Sequence, residues 1–392
     1  MPARARLAQR WKTHDQEWRD PAQVISQWPG ASAVKPESLR HRTSGRWWET
    51  LAEHRVTLLV TREYEHLVLA LRCENGRPQV SFLPLPHPSG LVVDRDRGLV
   101  HIASTRNPNQ VFDLSPVVGF LDRAEVIGQT DGSAAGRLVP IRSRFYPGAL
   151  YLHDLALVAG RLHGNAVGQN AVVELEPDGR YRTVWWPHCI ETDTGPAFSR
   201  NYLQMNSIAA GPDLRRSFFS ASTDRISSRR PNHKNFPVDR RGVIFSGQNG
   251  EVVARGLTRP HSARLHRGQL WVDNSGYGEV GPIVDGRFLA VTRLPGWTRG
   301  LSFHDGVAFV GSSRVIPRFR QYAPGLDVDR SVCAIHAVEI ASGKVLGSLT
   351  WPWGNQLFAI DWLPNTTGAG LPYSAGRRNP ERERRLFYAF RT

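Results

Sequence analysis

The chain has 392 residues, with 50 Lys and Arg against 35 Asp and Glu and a formal charge of +15. No stretch approaches the roughly 18 apolar residues that a membrane-spanning helix needs, which excludes that class. Three cysteines, Cys73, Cys189 and Cys333, cannot pair completely and lack metal-ligand spacing, so neither a disulfide scaffold nor a paired-cysteine zinc site is expected.

The positive charge points away from nucleic acid once its distribution is considered. Only Lys12, Lys35, Lys234 and Lys344 are lysine, and the arginines are scattered through every segment instead of forming one stripe. Residues 1–55, rich in Arg, Trp and Pro, read as an N-terminal arm or cap, with one or two helical turns over 47–54. No apolar run follows the first arginines, so they are not a secretory signal, and a soluble, cytoplasmic protein with no membrane contact is expected.

From residue 56 onward the pattern alternates with period two. Strands are predicted over 56–61, 66–71 and 79–82, followed by a unit that repeats: a polar residue, a short alternating strand, a tight turn, and further alternating strands. The units start near positions 88, 153, 206, 261, 299 and 358, so six sheets of about four strands are expected. The first three strands lack an inner strand, and the segment 358–362 is an inner strand without outer partners. Residues 56–392 are therefore predicted to form one all-β domain, a six-bladed β-propeller whose last blade is closed by N- and C-terminal strands, with 386–390 as a further strand there. Long insertions at 222–241 and 313–331 fall between the second and third strands of their blades, and 117–146 reads as an excursion over one face.

In an antiparallel blade, loops leading into the first strand and loops joining the second to the third emerge on the same rim. His87, His153, Asn206, His261, Arg299 and either Asn355 or Gln356 should then meet at one mouth of the central channel. His153, His261, His87 and Asn206 are the candidate ligands of a divalent ion such as zinc, iron, manganese or copper. Asp154 would orient one of those ligands, Arg299 would grip an anionic group of the substrate, and Tyr277 is a candidate general acid. Asn274, Arg225, Arg229, Arg230 and Arg318 are candidate substrate contacts on the overhanging loops. The later histidines, His163, His266, His304 and His336, read as structural.

Four blocks carry a resemblance: His153-Asp-Leu-Ala, Met205-Asn-Ser-Ile-Ala, Arg259-Pro-His-Ser-Ala-Arg-Leu-His-Arg-Gly-Gln-Leu-Trp-Val-Asp-Asn-Ser-Gly-Tyr-Gly-Glu and Pro295-Gly-Trp-Thr-Arg-Gly-Leu-Ser-Phe-His-Asp-Gly. Over about 50–365 the chain resembles a family of uncharacterised bacterial six-bladed propeller proteins, with an architecture like that of gluconolactonases. The resemblance implies the fold and no particular reaction. His87, and Phe358-Ala359 where an aromatic-Asp pair is usual, depart from the family pattern. Two functions are expected as alternatives. One is a metal-dependent lyase, hydrolase or oxidative tailoring enzyme acting on an anionic small molecule or peptide. The other is a non-catalytic propeller that binds a peptide or protein through its basic rim.

Overall fold

The computed structural model describes residues 4–9, 11–12, 34–105, 109–118, 120–121, 136–229, 231, 233–375 and 389–390. The alternating segments form six antiparallel sheets, and the first strands are Pro88–Asp94, Leu152–Val158, Met205–Ala209, Pro260–His266, Trp297–His304 and Ala359–Pro364. Each first strand packs against those of the sheets before and after it, and Ala359–Pro364 packs back on Pro88–Asp94, which closes the ring. The chain is therefore a six-bladed propeller, and we number its blades 1 to 6 in the order of these strands. Among the described residues no helix is long and apolar enough to cross a membrane.

Blade 6 is assembled from both parts of the chain, as the orphaned strands of the sequence require. Ala359–Pro364 pairs with Val56–Arg62, which continues through Leu67–Glu74 and Arg77–Pro84. The outermost place in this sheet goes to Tyr373–Ser374, where Tyr373 lies against Phe82 with ring centroids 5.6 Å apart. The predicted tail strand does not join it. Ala389–Phe390 pairs with Phe120–Leu121 instead, because the blade edge is already occupied, and 386–388 lie outside the described residues. The expected excursion at 117–146 is likewise corrected: Arg137–Tyr146 is the fourth strand of blade 1.

Part of the N-terminal region is built into the propeller. Arg42–Gly45 adds a fifth strand to blade 5, and the helix Trp47–Glu53 buries Trp47 completely beside Phe309 and Trp351 between blades 5 and 6. Every other gap between adjacent blades holds its own apolar cluster of the same kind. The blades therefore adhere through face-to-face burial, about 25 cal/mol for each Å² removed from water.

In five blades the register slips within the first strand close to its beginning, at Pro88/Leu91, Leu152/Leu155, Met205/Ser207, His261/Arg264 and Thr298/Leu301. Such a bulge breaks the in-out alternation and re-aims side chains. Hydroxyls at these bulges stitch neighbouring blades together. Ser89 Oγ donates to Leu152 O (2.8 Å), Ser207 Oγ accepts from the Ala263 amide (2.8 Å), and Ser262 Oγ accepts from that of Gly300 (2.8 Å).

Candidate functional site

Three short 3-10 turns link the second and third strands of blades 6, 2 and 4: Glu63–Glu65, Val167–Gln169 and Ser275–Tyr277. Each ends on a left-handed residue, His66 (φ 53), Asn170 (φ 55) and Gly278 (φ 67), which lets the chain reverse directly into the next strand. The first of these turns delivers Glu63 and the third delivers Ser275 to the same rim as the bulged inner strands.

Around that rim the side chains form two linked arcs. In the first, Arg299 Nη1 donates to the Gln356 side-chain oxygen (2.7 Å), and the Gln356 nitrogen donates to Glu63 Oε2 (3.1 Å). The Arg299 guanidinium lies 3.2 Å above the centroid of the Phe358 ring, and His153 meets that ring edge-on at 5.4 Å. Glu63 Oε1 accepts from Thr105 Oγ1 (2.9 Å) and stands 3.9 Å from His87 Nδ1. In the second arc, Arg259 donates from Nη1 to Ser222 Oγ (3.1 Å) and covers the Tyr322 ring at 4.0 Å. Asn206 Nδ2 donates to Pro260 O (2.9 Å) and Ser222 Oγ (3.3 Å).

His261 joins the arcs, and its tautomer follows from its contacts. Nδ1 lies 2.8 Å from Arg259 O, which can only accept, so Nδ1 carries the hydrogen and Nε2 presents a lone pair. Ser275 Oγ also approaches Nδ1, at 3.0 Å. Burial pushes the imidazole pKa well below its ordinary value, and the Arg299 and Arg259 charges push it further. His261 is therefore a neutral imidazole at pH 7, with Nε2 unprotonated.

Both arginines are held charged against a desolvation penalty. Burial lowers Arg299 to about 9, partly offset by Glu63 and Asp154, and lowers Arg259 to about 10. Arg299 Nη2, Arg259 Nε and Asn206 Oδ1 have no hydrogen-bond partner among the described residues. Two buried guanidiniums with spare N–H groups form a site whose unmet demand is for an anion.

The structure brings His153, His261, Asn206 and Arg299 to one end of the ring, with His87 beside Glu63. The three histidines do not converge further. Among the described residues, the group of three His, Cys, Asp or Glu with ligand atoms within 4.8 Å of one another is His54, His304 and Asp305, not His87, His153 and His261. Asp154 sits apart from the imidazoles. Its carboxylate accepts from Arg264 Nη1 (2.7 Å) and Nη2 (3.0 Å) and from the Ile208 amide (3.0 Å), tying blade 2 to blades 3 and 4. Tyr277 Oη donates to Asp239 (3.1 Å), away from His261. Asn274 is a turn-former, accepting from the Thr258 amide (2.7 Å) and donating to Glu279 (2.9 Å). Arg225 and Arg229 are exposed, and Arg230 lies outside the described residues. Arg318 spreads over Phe319 and Tyr64, at 4.5 and 5.2 Å.

Glu63 and Arg259 were not among the predicted site residues. Glu63 has a signal, an acidic turn (Glu63-Tyr-Glu-His66) between two strands with apolar runs, Leu58–Val60 and Leu67–Leu71. Arg259 has a weaker one, standing two residues before His261 and immediately ahead of the inner strand Pro260–His266.

No curated protein matches the chain. Solved structures match it as folds: one described as "Crystal structure of Nidogen/Laminin Complex" is 12% identical, with a TM-score of 0.51, over 78% of this chain and 98% of the other. A gluconolactonase from Xanthomonas campestris is 12% identical (TM-score 0.42; 76% and 86% covered), and virginiamycin B lyase from Staphylococcus aureus is 11% identical (TM-score 0.42; 79% and 99% covered). The sequence from 45 to 371 matches the family described as "Domain of unknown function (DUF4915)", and the chain belongs to that family of propeller proteins.

Proposed function

We propose that the protein is an enzyme that binds an anionic small molecule, or the acidic end of a peptide, at this mouth. Arg299 and Arg259 hold the carboxylate, phosphate or sulfate, and His261 Nε2 takes a proton from the bound molecule or from an attacking water. The observation that carries this reading is the pair of buried guanidiniums, each with an N–H left without an acceptor. A carboxylate gripped by arginine acidifies the adjacent carbon, and the bound anion offsets the two guanidinium charges that depress His261, so its unprotonated Nε2 is available to accept the proton. Elimination and hydrolysis are the reaction classes this supports.

A metal ion at the mouth would draw on His153, His261 and Asn206, two ring nitrogens and an amide oxygen. It would share the space with two guanidinium charges, so the anion is the preferred occupant. The test is a thermal-shift and calorimetric titration with phosphate, sulfate and a panel of carboxylates. Saturable stabilisation is expected in the native protein and should vanish in Arg299→Met and in Arg259→Met. Anion binding that survives both substitutions defeats the reading. One equivalent of transition metal in the purified protein, lost in His153→Ala and His261→Ala, would replace it with a metal centre.

A further inference from the structure

The inner strand of blade 5 carries Arg299 at the mouth and ends with His304 on the opposite face, about 17 Å away at 3.3 Å per residue. There His304 and Asp305 meet His54, a residue 250 positions earlier that closes the helix Trp47–Glu53. His304 Nε2 lies 3.4 Å from Asp305 Oδ2, and His54 Nδ1 lies 3.8 Å from the same oxygen. The two imidazoles meet edge to face with centroids 5.4 Å apart.

We propose that His54, His304 and Asp305 form a binding site for a transition metal of the zinc class, which clamps blade 5 to blade 6. With metal bonds of about 2.0–2.1 Å, neighbouring donors of a tetrahedral zinc stand about 3.4 Å apart, so the three ligand atoms need to move little to enclose the ion. Two imidazoles and a carboxylate favour zinc, cobalt, nickel or copper over magnesium and calcium, which prefer all-oxygen shells. Both rings are half-buried, while the Asp305 side chain is 70% exposed, which leaves room for water in the fourth position.

The supports are in place around the site. His54 donates its backbone N–H to Thr50 O (3.1 Å), fixing it at the helix end, and the chain then runs directly into Val56–Arg62 of blade 6. The His304 ring packs against Trp362 of blade 6 at 4.2 Å. Arg95 stacks on the same tryptophan at 4.2 Å, and its charge is offset by its ion pair with Asp361. Asp305 holds φ 49 in the turn between the first two strands, a conformation that aspartate accepts more readily than most residues. A metal here would cross-link blade 5 to the N-terminal part of blade 6, through His54 at the entry to Val56–Arg62.

The test uses the full chain stripped with a chelator and titrated with Zn²⁺, Co²⁺ and Mg²⁺. One equivalent of Zn²⁺ or Co²⁺ should bind, with visible Co²⁺ absorption bands of tetrahedral type. At a hundredfold excess over Kd, Zn²⁺ should raise the thermal midpoint by about 3 °C, and Mg²⁺ should not. His304→Gln and Asp305→Asn should weaken binding at least tenfold while their metal-free midpoints stay near that of the native chain, which separates lost ligation from lost folding. Absence of stoichiometric binding, unchanged binding in both variants, or loss of binding only on substituting His153 or His261 would overturn the proposal.

Discussion

Replacing Arg299 with methionine should stabilise the protein while abolishing anion binding. A guanidinium lowered from 12.5 to about 9 carries a native-state cost of about 5 kcal/mol at neutral pH, at about 1.4 kcal/mol per pH unit. Methionine fills a similar volume without charge. The attraction of Glu63 is already contained in that shift, so the variant further loses only the bond to Gln356, worth about 1 kcal/mol, and a net gain of about 4 kcal/mol is expected. For a chain of this length that corresponds to a rise of about 5 °C in Tm, measurable by calorimetry and by the urea midpoint. The sign with pH is also fixed. Below pH 9 the native arginine is charged and the cost is fully present. It is relieved as pH climbs from 9 toward 12.5, where the native form gives up its proton before the unfolded one does. The excess stability of Arg299→Met should shrink over that window. A variant less stable than the native chain, or one still protected by phosphate and carboxylates, would refute the reasoning.

Asp154→Asn should destabilise by about 3 kcal/mol, because it leaves the Arg264 charge facing an amide across the blade 2 to blade 4 contact; urea unfolding measures this. Tyr277→Phe removes one bond at a partly exposed position, so less than about 1 kcal/mol of stability and none of the anion binding should be lost in the same titration. Burial pushes His336 down to about 4. Between pH 6.5 and 4 the unfolded chain gains a proton there that the native chain refuses, so stability falls with acidification, by about 3 kcal/mol at pH 4 from this residue. His336→Gln, compared with the native chain by denaturant midpoints at pH 7 and pH 4.5, should show a visibly flatter acid dependence.

Much of the architecture is written in local pattern. Period-two alternation, the glycine turns and a polar residue opening each inner strand are all short-range signals, and they located six blades and the split of blade 6. The mouth was only partly legible, because its contacts join residues from different blades with no sequence spacing to reveal them. Asp154 finds Arg264 across the ring, 110 positions away. The bulge between Leu152 and Leu155 breaks the alternation that would otherwise have assigned Asp154 a direction. Tyr277 illustrates a different limit: proximity to His261 along the chain placed it at the site, while its hydroxyl is claimed by Asp239 on the neighbouring insertion. Arg299 was expected at the mouth from its place in the repeat, whereas Arg259 stands one residue ahead of its inner strand, outside the repeated pattern, and its burial went unseen.

The shared blade has a consequence for biosynthesis. Val56 pairs with Pro364, so the first three strands of that sheet leave the ribosome about 300 residues before the strand that completes them. Until then Val56–Arg62, every residue of which is buried in the finished fold, has an open edge. The nascent chain must keep this edge from pairing with other polypeptides, and a holdase chaperone or the early seating of Trp47 against it would serve. Closure of the ring is then the last event of folding, and its slow step is the search for a partner at the far end of the domain.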